Sequence, residues 1–175
     1  LLDDEVSKAA TSESFTALLA TGPEALSFTG WHFGDDGLKV LAAALSESAS
    51  SSSITSLSVE ENDISDEGLI LLIDQCASVL HSLEKLYCTQ NGIGSNGVEA
   101  FCNALVNGSF PHLKVCDFNS NLNLGDQGLA ALGRAVSQGI ALAALTNLFL
   151  DSTSIGDEGL ISFAQGLRSS SCALP

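Results

Sequence analysis

Three histidines, five cysteines and twenty-one carboxylates are the groups through which this chain could do chemistry, set against only six lysines and arginines. His32, His81 and His112 stand apart in the sequence, none sharing a motif with a serine or cysteine nucleophile. No catalytic residue is therefore assigned, and the chain reads as a non-enzyme. The odd cysteine count contains no Cys-x-x-Cys and no Cys/His spacing that would hold zinc, so no metal site and no cofactor are expected. Reduced thiols and the lack of a signal pattern point to the cytoplasm and an intracellular protein. The carboxylates are another matter, because a formal charge of −15 repels a phosphate backbone and attracts a basic protein surface. Nucleic acid is excluded as a partner on that ground. Membrane insertion is excluded because no apolar run approaches the roughly 18 residues a span needs.

A recurring phrase positions these groups. Leu26-Ser-Phe28, Leu57-Ser-Val59, Leu86-Tyr-Cys88, Cys116-Asp-Phe118 and Leu148-Phe-Leu150 are each followed, 11 or 12 residues after the first anchor, by a glycine at 37, 68, 97, 128 or 159. The anchors are 31, 29, 30 and 32 residues apart, so each unit is one supersecondary element that must stack on its neighbours to bury its apolar face. Residues 1–22 read as a degenerate N-terminal unit or cap, and 23–175 as five units. Cys172-Ala-Leu-Pro175 resembles the lead-in to a further strand, which suggests a piece of a longer solenoid.

Within each unit the first half alternates in polarity and predicts a short strand, preceded by an apolar residue at Ile54, Leu83, Leu113 or Leu145. After the glycine, apolar residues follow at offsets of one, four and eight, as in Leu38/Leu41/Leu45 and Leu160/Phe163/Leu167, which is one face of a helix. Repeated strand–helix units demand a parallel sheet with like crossovers. Asn62, Asn91 and Asn121 fall between strand and helix, with Trp31 and Thr153 at the matching places, and are expected to satisfy backbone groups at the turn. Trp31 should plug the end of the core. Asp35, Asp36, Asp66, Glu67, Asp126, Asp157 and Glu158 precede the glycines and are expected to cap helix N–H groups. Cys76, Cys88, Cys102 and Cys116 take core slots. The serines at 46–53 and 169–171 read as flexible links, and one extra residue in the fourth unit falls at Leu122-Asn123.

The string Ile54-x-x-Leu57-x-Val59-x-x-Asn62-x-Ile64-x-x-x-Gly68-Leu69 resembles leucine-rich repeats of the ribonuclease-inhibitor-like class, and the match extends from residue 23 to about 170. The resemblance implies an α/β leucine-rich-repeat solenoid, a horseshoe segment with parallel strands on its concave face and helices outside, and a role in binding other proteins. Ribonuclease inhibitor, Ran GTPase-activating proteins, tropomodulins and NOD-like receptors share such repeats.

On that concave face the side chains of Glu60, Lys85, Tyr87, Asp117, Asn119, Phe149 and Asp151 should point outward, and Glu61 is counted with them as a partner-binding residue. Tyr87 and Phe149 are the candidate anchors, since an aromatic ring on a polar face gains most from being covered. Glu60, Glu61, Asp117 and Asp151 would select a basic protein. Two other expectations compete: regulation of a small GTPase, as the resemblance to Ran GTPase-activating proteins implies, and a structural arm or subunit of a larger complex.

Overall fold

A computed structural model describes residues 11–138 and 144–169. The expected leading motif at Leu2–Val6 and the lead-in at Cys172–Pro175 lie outside these residues. Five three-residue strands, β1 (Ala25–Ser27), β2 (Ser56–Ser58), β3 (Lys85–Tyr87), β4 (Val115–Asp117) and β5 (Asn147–Phe149), form one parallel sheet in sequential order. The helices are α1 (Ser12–Leu19), α2 (Gly34–Glu47), α3 (Asp66–Cys76), α4 (Ser95–Val106), α5 (Gly125–Ser137) and α6 (Asp157–Ser169). Strands sit about 4.8 Å apart while packed helices need about 8–10 Å, so stacking the units bends the solenoid with its sheet inside.

The register fixes the anchors in a row, Leu26 beside Leu57, then Leu86, Cys116 and Leu148. Behind them the helix positions Leu38, Leu41, Leu45, Leu69, Leu72 and Phe101 are buried in one continuous core. At its first end, Trp31 lies edge-on to Phe28 with ring centroids 5.2 Å apart and stacks at 6.3 Å on Phe15 of α1. The tryptophan closes the core as expected, together with a helix whose capping box joins Thr11 and Ser14.

The asparagines tie each unit to the next. Asn91 donates Nδ2–H to the Val59, Cys88 and Thr89 carbonyls, and its Oδ1 accepts from the N–H of Asn62 and of Ile64, both at 3.0 Å. Asn121 repeats the pattern one unit on, donating to the carbonyls of Cys88 and Phe118 and accepting from the Ile93 N–H. With Asn121 buried and Leu124 in the core, the extra residue is confined to the exposed turn at Leu122-Asn123.

Three expectations need correction. Three of the first-turn carboxylates bind the next unit and not their own helix: Asp35 Oδ1 accepts from Ser65 N at 2.9 Å, Asp66 Oδ1 from Gly94 N at 2.5 Å and Asp126 Oδ1 from Gly156 N at 2.6 Å. Each reaches sideways to the turn of the next unit, where a backbone N–H otherwise without a partner lies within hydrogen-bond distance. Those carboxylates also explain three of the repeated glycines, since a Cβ on Gly68, Gly97 or Gly159 would run into Asp35, Asp66 or Asp126, whereas at Gly37 and Gly128 it would meet Phe33 and Leu124. Second, residues Ala49–Ser53 are an ordered 3-10 turn, not a flexible link, held by the buried Ser51 hydroxyl donating to the Leu45 carbonyl at 2.6 Å. Third, Leu160 is 56% exposed although its counterparts Leu38, Leu69, Val98 and Leu129 are 0–3% exposed. It faces the side on which no described unit follows.

The ladder predicts an order of stabilities. Asn91→Ala removes five hydrogen bonds and strands two backbone N–H groups, and should cost about 2–4 kcal/mol in urea denaturation. Asn62 donates to Phe28 and Glu60 but its Oδ1 has no partner among the described residues, so Asn62→Ala should cost less. Gly68→Ala should cost about 1–3 kcal/mol through the clash with Asp35, measured the same way.

Candidate functional site

The parallel register turns the outward side chains into three rows running across the strands. Ala25, Ser56, Lys85, Val115 and Asn147 form the first, and Ser27, Ser58, Tyr87, Asp117 and Phe149 the second. Thr29, Glu60, Thr89, Asn119 and Asp151 continue the same strands one step further and make the third. No strand can slip by one residue without sending its anchor to solvent, so the rows are fixed by the core.

Several members are held before any partner arrives. Glu60 Oε2 accepts from the Ser58 hydroxyl at 2.7 Å and from the Thr29 hydroxyl at 3.3 Å. Asp117 Oδ1 accepts from Asn119 N at 2.9 Å, and Asn119 Oδ1 accepts from Asp151 N at 2.6 Å. Phe149 is 39% exposed, a large apolar ring on a polar face, whereas Tyr87 is half-buried between its neighbours.

Glu60, Tyr87 and Asp117 come together around a hollow of about 400 Å³ whose floor includes Ser27, Ser56 and Ser58. Asn119, Phe149 and Asp151 occupy the other side of the same face. Lys85 belongs to the first row, outside the hollow's lining, and Glu61 leaves the face altogether, occupying the turn beyond β2 with φ +56°. The serines of the hollow were legible as outward positions, but only their register with Tyr87 shows them to be part of one depression.

Two of the cations are paired off this face. Lys114 pairs with Glu84 at 2.7 Å and Arg134 with Glu99 at 2.8 Å, while His32 lies 3.4 Å from Asp63. The Lys114 hydrogen bond, with the charges of Lys114, Lys85 and His112, lowers the Glu84 pKa. Glu60, Asp117 and Asp151 have no ion-pair partner among the described residues.

No cluster of His, Cys, Asp and Glu among the described residues could hold a metal ion. Cys76, Cys88, Cys102 and Cys116 are free and buried. Burial pushes Cys76 and Cys102 up from the ordinary 9.0 to about 12, and raises Cys88 and Cys116 as well. No helix of the described residues is long and apolar enough to cross a membrane.

A family model described as leucine-rich repeat matches residues 50–72 and 79–102, which are the units built on β2 and β3 with the turns that lead into them. Those two units match leucine-rich repeats, and the five stacked strand–helix units with their single parallel sheet make the fold a leucine-rich-repeat solenoid. Among solved structures, this leucine-rich-repeat chain is similar to leiomodin-1 actin-binding site 2, with a TM-score of 0.66 at 11% identity over 89% of this chain and 87% of that one. It is also similar to a tropomodulin C-terminal domain from Caenorhabditis elegans, with a TM-score of 0.58 at 18% identity over 90% and 92% of the two chains. At these identities the likeness is one of fold. No curated protein matches the chain by sequence.

The thiols yield a direct test. At pH 8 an aromatic disulfide reagent should modify a Cys172→Ser variant only as fast as the protein opens, because thiolates do not form in the core. The raised folded pKa values also set a sign: ionisation of the unfolded thiols begins near 9.0 and that of the folded ones only near about 12. Stability contributed by the neutral thiols is therefore intact below pH 9 and should fall as pH rises from there, as read by denaturation midpoints.

Proposed function

We propose that this protein is an interaction module that holds a basic protein partner against its concave strand face. One observation supports this most: Glu60 and Asp117 flank Tyr87 at a hollow of about 400 Å³, while the basic groups of Lys114 and Arg134 are paired off the face. A face of fixed, unpaired carboxylates with two aromatic rings gives a partner's lysines and arginines charge to meet and apolar surface to cover. The leiomodin-1 structure of similar fold is an actin-binding site, so actin is assayed beside the basic candidates.

Regulation of a small GTPase by a supplied arginine has less support. Arg134 is bound by Glu99 on the adjoining helix, and Arg168 lies in the last turn of α6, so neither belongs to the strand rows.

Co-sedimentation with filamentous actin, and capture with purified basic candidates, should be run on the parent and on Tyr87→Ala/Phe149→Ala with unchanged circular dichroism. For the true partner the double variant should lose about 30-fold or more in affinity. Glu60→Gln/Asp117→Asn should lose less and flatten the dependence on salt. A partner held equally by all three proteins would move the contact off the concave face.

A further inference from the structure

The hollow on the concave face is shaped as well as charged. Its floor is low because the β1–β2 half of the rows carries only small outward side chains, Ala25 and Ser56 in the first row and Ser27 and Ser58 in the second. Tyr87 stands beside Ser58 on the next strand, so the floor ends against a phenol ring. Asp117 follows beside the ring on β4, and Glu60 lies one row further along the chain from β2. The two carboxylates therefore stand two strands apart with the ring between them.

Each carboxylate is anchored through one oxygen and leaves the other unused. Glu60 Oε2 accepts from the hydroxyls of Ser58 and Thr29, whereas Glu60 Oε1 has no hydrogen-bond partner among the described residues. Asp117 Oδ1 accepts from Asn119 N, and Asp117 Oδ2 has no partner among them either. Ser58 is 7% exposed, so the hydroxyl that orients Glu60 is itself set into the floor. Lys85, the one cation of the three rows, precedes Tyr87 by two residues and belongs to the first-row end of the hollow, away from Glu60 in the third.

A side chain entering here meets a shallow floor at Ala25 and Leu26, an aromatic ring, and two free carboxylate oxygens beyond it. That sequence of surfaces matches an apolar stem ending in a planar cation. The guanidinium of arginine stacks on a ring and carries donors along both of its edges, so one group can face both carboxylates. A lysine ammonium is a point charge with no plane to stack. At about 400 Å³ the hollow is sized for a side chain, not for a whole helix.

We infer that the hollow is the seat of one arginine side chain of the protein partner, its guanidinium lying against Tyr87 between Glu60 and Asp117. This rests on the concave-face reading and narrows it, since a basic partner could cover that face without inserting a residue here.

The probes are acetyl-Gly-Arg-Gly-amide and its lysine and citrulline counterparts, citrulline being a neutral isostere of arginine. Each is titrated into the isotopically labelled full chain and followed by amide NMR shifts. The arginine peptide should bind saturably and move the amides of Ser56, Ser58, Tyr87 and Asp117 together. The lysine peptide should bind about three- to tenfold more weakly, and the citrulline peptide about tenfold or more. Ser56→Phe fills the hollow, leaves both carboxylates in place and should weaken the arginine peptide about tenfold or more; Ser27→Phe, at an exposed position on the same floor, is the second such variant. Equal binding of the arginine and lysine peptides reduces the effect to charge and overturns the inference. So does undiminished binding by the folded phenylalanine variants, or the absence of saturable binding. The two readings fail separately. A partner lost by Tyr87→Ala/Phe149→Ala but held in full by Ser56→Phe removes the arginine seat and keeps the face, whereas a partner held by both removes the face and the seat with it.

Discussion

The turn from strand to helix leaves backbone carbonyls and N–H groups facing inward, where water cannot reach them, and one amide side chain resolves this for two units at once. Asn91 donates into its own turn and into the strand before it, and accepts from the backbone of the preceding turn. A unit therefore completes its hydrogen bonding only when its neighbour is in place, which makes stacking cooperative along the solenoid. The sheet register, the rows on the concave face and the depth of the core all follow from that coupling. Where the series is interrupted the consequence is local: Trp31 replaces the amide in the first unit, and Asn62 Oδ1 is left without a partner.

A second coupling runs along the helix starts. The carboxylates of Asp35, Asp66 and Asp126 hold the following turn, and the glycine beneath each leaves room for it. Ser95 takes that place in the third unit, and the next turn, which carries the extra residue, is held instead by Gly125 N–H donating to the Thr153 carbonyl at 2.9 Å. The longer turn and the missing carboxylate occur at the same junction. Between α5 and α6 the closeness comes from glycine alone, since a Cβ on Gly166 would lie 2.1 Å from the Gly133 carbonyl oxygen.

The anchors, the asparagines and the glycines were legible in the sequence because a repeat shows the anchors and glycines five times over and the asparagine three times. Strand order, helix face and the inward set at positions such as Leu57 and Leu69 could be read from periodicity alone. Contacts between units were not, because sequence spacing orders residues along a unit and says nothing of which side chain reaches sideways. Asp66 looked like a helix cap for that reason. Ser51 looked like part of a low-complexity link, and only its bond to the Leu45 carbonyl shows that the serines close an ordered turn. Leu160 carried the same pattern as Leu129 and differs only in having no described neighbour to cover it, a property of position in the stack and not of local sequence.

The concave carboxylates illustrate how such a surface tolerates its own charge. Glu60, Asp117 and Asp151 stand on strands two, four and five, and no two face each other across adjacent strands in one row. Glu60 and Asp151 share a row but are three strands apart, roughly 14 Å at the usual strand spacing, which exceeds the Debye length of about 8 Å at physiological salt. Neutral Thr89 and Asn119 lie between them. Their mutual repulsion is therefore screened while water fills the face. A partner that lies across all five strands excludes that water and feels the three charges together, so the dispersion that keeps the free protein stable is compatible with a strong field at a broad interface.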